Sequence, residues 1–115
     1  MKTVAFHTLG CKLNFAESET IIRRLSENGY RIISFREKAD VYVIHSCIVT
    51  QQAEKKCIYA LRQAMVRNPG ARIAVMGCMS ELNKARLQQE KSDLLLLGNT
   101  NKYNLAEILE QQPAP

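Results

Sequence analysis

The sequence predicts an α/β domain: a mostly parallel sheet of four or five strands with helices on both faces, a three-layer, flavodoxin-like arrangement. Short β-branched apolar runs alternate with segments of helical periodicity, which is the pattern of parallel strands joined by helical crossovers. The runs at residues 41–45 (Val-Tyr-Val-Ile-His), 73–76 (Ile-Ala-Val-Met) and 94–97 (Leu-Leu-Leu-Leu) are apolar with little polar alternation, as strands buried on both faces require. A chain of 115 residues is long enough for one such core.

Taken in order, Thr3–Thr8 is an apolar, β-prone run and the first strand. Asn14 then reads as an N-cap with Glu17 three residues on, and Phe15, Ile21, Ile22 and Leu25 recur at helical spacing until Asn28-Gly29 stops the helix. Residues 30–35 are less apolar and fit an edge strand; residues 41–45 form the third. A second helix begins after Thr50 and carries Ala53, Cys57, Ala60, Leu61, Ala64 and Met65 on one stripe until Asn68-Pro69-Gly70. Residues 73–76 are the fourth strand. A third helix starts at Ser80 with Leu82, Ala85 and Leu87 inward, residues 94–97 make a fifth strand, and a last helix covers residues 103–109. The expected strand order is 2-1-3-4-5. Residues 1–110 read as one domain and residues 111–115, Gln-Gln-Pro-Ala-Pro, as a linker.

With 46% of residues apolar and 23% charged, the composition excludes disordered and collagen-like chains. No apolar stretch approaches the ~20 residues that span a bilayer, and the N-terminus lacks a secretory pattern. A soluble, cytoplasmic protein without a membrane partner is expected. Sixteen Lys and Arg against eleven Asp and Glu leave +5, which suits an anionic partner such as nucleic acid, although the basic residues are spread along the chain.

The four cysteines divide by position. Loops that follow the strands of a parallel sheet gather along one edge, where such folds place ligands. Cys11 follows the first strand, Cys47 the third and Cys78 the fourth, and in the expected order these strands are neighbours. Three thiols at equivalent strand ends, with Gly10 before Cys11 and Gly77 before Cys78, are better explained by a site than by packing. A reducing compartment disfavours disulfides, and structural zinc usually takes four ligands from paired motifs, which are missing here. Three thiolates without a fourth suit an iron–sulfur cluster with one iron open to an exchangeable ligand. Cys57 lies mid-helix on an apolar stripe and reads as a packed thiol. His7 lies within the first strand, and His45, at the end of the third, is close enough in sequence to Cys47 to approach the site.

Thr8-Leu9-Gly10-Cys11-Lys12-Leu13-Asn14 with Glu17-Ser18, the segment 41–50 ending Ser46-Cys47-Ile48-Val49-Thr50, and Gly77-Cys78-Met79 together resemble the N-terminal domain of radical-SAM methylthiotransferases. Leu97-Gly98-Asn99 and Lys102 fit the end of that domain, so the resemblance covers nearly the whole chain. It implies that Cys11, Cys47 and Cys78 ligate an auxiliary [4Fe-4S] cluster whose open iron holds the sulfur or methylsulfide to be transferred. It also implies that S-adenosylmethionine and a second [4Fe-4S] cluster belong to a following domain, whose Cys-x-x-x-Cys-x-x-Cys motif this chain lacks, so that the chain alone is not expected to turn over and contains no catalytic residue of its own. The opening motif is most similar to the branch that adds methylthio to C2 of N6-threonylcarbamoyladenosine at tRNA position 37; sister branches act on isopentenyl-adenosine or a ribosomal protein. His45 and Ile48 depart from the family pattern, which usually has Asn and a small hydroxyl residue there. A reading from another class is a flavodoxin-like interaction or nucleic-acid-binding domain with packed cysteines.

Overall fold

A computed structural model describes residues 2–9, 12–46, 51–77, 84–91, 93–98 and 105–111. The elements run β1 (Thr3–Thr8), α1 (Lys12–Glu27), β2 (Arg31–Ile33), β3 (Val41–Ser46), α2 (Gln51–Arg67), β4 (Arg72–Gly77), α3 (Lys84–Glu90), β5 (Leu95–Leu97) and α4 (Leu105–Gln111). The five strands form one sheet in the order β2-β1-β3-β4-β5, and every pairing is parallel. The predicted fold class and strand order are therefore those observed.

Two apolar layers sandwich the sheet. Val4, Val41, Val43, Ala74, Met76 and Leu97 pack with Ile21 and Leu25 of α1 and with Leu105, Ala106 and Leu109 of α4. On the opposite face Ala5, Tyr42, Ile44, Ile73 and Val75 pack with Cys57, Ile58, Ala60, Leu61 and Ala64 of α2 and with Leu87 of α3. β3 is buried along its whole length, which suits its apolar run from Val41 to Ile44; His45 and Ser46, which end it, are buried polar residues.

Several local expectations change. α1 starts at Lys12, so Asn14 lies inside its first turn and is not the cap; the helix is prolonged toward β1 beyond the point where the Asn14/Glu17 pair signals a start. Phe15 is 53% exposed, because at about 100° per residue it sits roughly 90° from the centre of the buried stripe made by Ser18, Ile21 and Leu25. Ala85 is exposed while Leu87 is buried, since two positions apart on a helix face opposite ways. β2 is only three residues long, and Phe35 beyond it turns back to pack edge-on against Tyr42, at 5.3 Å between ring centroids. Ile58 joins the predicted α2 stripe. Ser80, Leu82 and Tyr103 lie outside the described residues, as do residues 112–115, whereas Gln111 ends α4.

Candidate functional site

The three strands that lead to the cysteines, β1, β3 and β4, are the adjacent central strands of the sheet, and all run in the same direction. Thr8 of β1 pairs in register with His45 of β3, and Ser46 of β3 with Gly77 of β4. The Leu9 amide donates to the His45 carbonyl at 2.7 Å, carrying the β1–β3 ladder one residue further toward Cys11. Ser46 and Gly77, the residues immediately before Cys47 and Cys78, are thus register partners on strands that neighbour at roughly 4.8 Å. Cys11, Cys47 and Cys78 themselves lie outside the described residues.

Gly77 has φ +102°, a region that favours glycine. A Cβ there would overlap the Ser46 carbonyl oxygen and stand 3.1 Å from its carbon and 3.5 Å from His45 Cδ2. The ends of β3 and β4 are therefore closer than any side chain at position 77 would permit. Beside them the Ser46 hydroxyl is buried with no hydrogen-bond partner among the described residues.

On the α1 face of the same strand ends lies a group that sequence reasoning missed. Ser18 Oγ is 2.8 Å from His45 Nδ1 and 2.8 Å from Thr8 Oγ1. Ser18 and His45 are both buried, 3% and 0% exposed. The signal was present: Ser18 stands at i, i+3, i+4, i+7 spacing with Ile21, Ile22 and Leu25, a polar residue in an apolar stripe. His7 points elsewhere. Its ring lies 5.0 Å from that of Phe35, and burial, reinforced by the Arg67 guanidinium, holds its pKa below the usual 6.5. Cys57 is fully buried in α2 as expected, and desolvation, with Glu54 adding, pushes its thiol up to about 11. Among the described residues no cluster of His, Cys, Asp and Glu gathers as a metal-binding group, and no helix is long and apolar enough to cross a membrane.

Residues 3–98 match the family described as Uncharacterized protein family UPF0004. The chain belongs to the UPF0004 family. This is the N-terminal domain of methylthiotransferases that the three cysteine motifs resemble. The chain is 39% identical over 108 residues to the threonylcarbamoyladenosine tRNA methylthiotransferase MtaB of Aquifex aeolicus, covering 94% of this chain and 26% of that protein. It is 37% identical over 111 residues to the MtaB of Bacillus subtilis, covering 96% and 25%. A tRNA-2-methylthio-N(6)-dimethylallyladenosine synthase of Methylacidiphilum infernorum is 34% identical over 115 residues, covering 96% and 24%. This UPF0004 chain thus spans about a quarter of the length of these relatives.

Proposed function

We propose that this chain is the N-terminal auxiliary-cluster domain of a tRNA methylthiotransferase, with Cys11, Cys47 and Cys78 as the ligands of a [4Fe-4S] cluster. One observation carries the reading: the strand order makes β1, β3 and β4 neighbours, and the three cysteines follow the ends of those strands. The residues suit the group. The donors are soft thiols, Gly77 keeps the β3 and β4 ends close, and the buried Ser46 hydroxyl beside Cys47 has its hydrogen uncommitted among the described residues.

When bound, a cluster held by three thiolates supplies a soft iron with one coordination position free for sulfur. The chain's own task is placement. Cys11, Cys47 and Cys78 must lose their protons to bind, whereas the thiol of Cys57, buried and held near 11, stays protonated and apart. Sulfur or methylsulfide is the cargo, tRNA is the partner, and N6-threonylcarbamoyladenosine at position 37 is the substrate; the two MtaB relatives at 39% and 37% support that branch over the dimethylallyladenosine one. Residues 1–110 form the domain, residues 111–115 lead to a following domain that uses S-adenosylmethionine and a second cluster, and the protein works in the cytoplasm.

Anaerobic reconstitution with ferrous iron and sulfide tests the reading. About four irons per chain are expected, lost in Cys11→Ala, Cys47→Ala and Cys78→Ala and kept in Cys57→Ala. Equal uptake by all four variants would overturn it and leave an interaction domain with packed cysteines.

A further inference from the structure

Position 45 breaks the logic of its sheet face. The row of register partners that ends this face reads Thr8, His45, Met76, Leu97, and beneath it the residues of β3 and β4 facing α1 and α4 are apolar except Arg72, which opens β4 and donates to the Leu109 carbonyl of α4 at 3.0 Å. Burying an imidazole and a hydroxyl there is costly unless they are hydrogen-bonded, and an aliphatic pair would fill the same space without that requirement. The buried polar groups, Ser18 and His45, sit at the end opposite Arg72, the end from which Cys11 and Cys47 follow. Thr8 is three residues before Cys11, Ser18 belongs to the helix that starts directly after Cys11, and His45 is two residues before Cys47.

We infer that Thr8, Ser18 and His45 form a polar brace that fixes α1 against the ends of β1 and β3, making Ser18 and His45 positioning residues for the three-cysteine site; this rests on the reading of that site given above. Apolar contacts between a helix and a sheet tolerate repacking, whereas two hydrogen bonds of 2.8 Å that meet at one hydroxyl hold only one placement of the helix. The brace therefore sets how far the Cys11 side of the site stands from the Cys47 side. Its loss should loosen the grip on the cluster more than it loosens the fold.

The test compares wild type, Ser18→Ala, His45→Leu and His45→Asn after anaerobic reconstitution with iron and sulfide, following the decay of cluster absorbance in excess chelator and the thermal midpoint of each metal-free chain. The Asn amide stands where the imidazole Nδ1 stands and can still meet Ser18. Leu87→Ala, which opens the opposite face of the sheet, is the matched control for destabilisation. Ser18→Ala and His45→Leu should lose the cluster about tenfold faster than wild type, while His45→Asn and Leu87→Ala stay within about twofold. Equal decay across an iron-loaded series overturns the brace alone, as does equal acceleration in Leu87→Ala or in His45→Asn and His45→Leu together. A Ser18→Ala chain that does not fold at all also overturns it, because the role would then be structural. Wild type without Cys11-dependent iron overturns both the brace and the cluster reading.

Discussion

Replacing Gly77 by Ala should be among the most damaging single-methyl changes available in this domain. The residue has φ +102°, where an L side chain costs about 1–2 kcal/mol relative to glycine. The new Cβ also overlaps the Ser46 carbonyl oxygen, a backbone atom of the neighbouring strand that cannot rotate away, and overpacking of this kind adds about 1–3 kcal/mol. The sum is about 2–5 kcal/mol, a large part of the roughly 5–15 kcal/mol that holds a domain of this size. An unfolding entropy of ~2.1 cal/mol/K per residue over 115 residues converts each kcal/mol to about 4 °C, so the midpoint should fall by about 8–20 °C. Two other glycines separate the terms. Gly29 has φ +90° with nothing within 4 Å, so Gly29→Ala should cost only the conformational part, about 4–8 °C. Gly70 has no positive φ, and its nearest atom is Asn68 Oδ1 at 3.8 Å, so Gly70→Ala should be neutral or raise the midpoint slightly through the unfolded chain. Thermal and urea unfolding followed by circular dichroism rank the three. A Gly77→Ala loss no larger than that of Gly29→Ala would refute the close approach of β3 and β4.

Cys57 should resist alkylation in the native chain and react only on unfolding, as read by mass spectrometry. Its folded pKa of about 11 lies above the ordinary 9.0, so the unfolded chain releases this proton first, and stability should fall as pH rises from about 9 to about 11, an effect absent in Cys57→Ala. Glu90 accepts from Arg62 at 2.7 Å and from Arg86 at 2.7 Å, and these bonds hold its carboxyl near 2. Its contribution is present above the ordinary 4.5 and is lost as pH falls toward 2; because Arg62 is largely exposed, Glu90→Gln should shift the urea midpoint at neutral pH only slightly and flatten that acid limb. His7 is held below 6.5 first by burial and then by Arg67, so the unfolded chain takes up the proton first as pH falls through 6.5 and the native state loses stability there. Arg67→Gln should raise the His7 midpoint in an NMR titration while leaving it below 6.5; no change would remove Arg67 from the account.

The candidate site is legible where its signals are local. Cys11, Cys47 and Cys78 each follow a recognisable apolar run, and Cys57 falls on a helical stripe, so the three-to-one division of the cysteines needs only sequence position. Ser18 was visible as an anomaly in the α1 stripe but its meaning was not, because Thr8 and His45 lie 10 and 27 residues from it. Phe15 and Ala85 differ from expectation because apolar character alone does not put a residue on the buried side: Phe15 lies well off the centre of the α1 stripe and Ala85 two positions from the buried Leu87.

By itself the sequence determined the alternation of strands and helices, the burial of β3 and β4, the stop at Asn28-Gly29 and the three cysteines that follow strands, since period, turn chemistry and apolar runs act over a few residues. Tertiary structure alone decided that Ser46 and Gly77 stand side by side, that a methyl group at position 77 has no room, and that Ser18 joins Thr8 to His45. Those facts depend on strand register and helix docking, which arise from contacts between segments distant in the chain and leave no mark on either segment read alone.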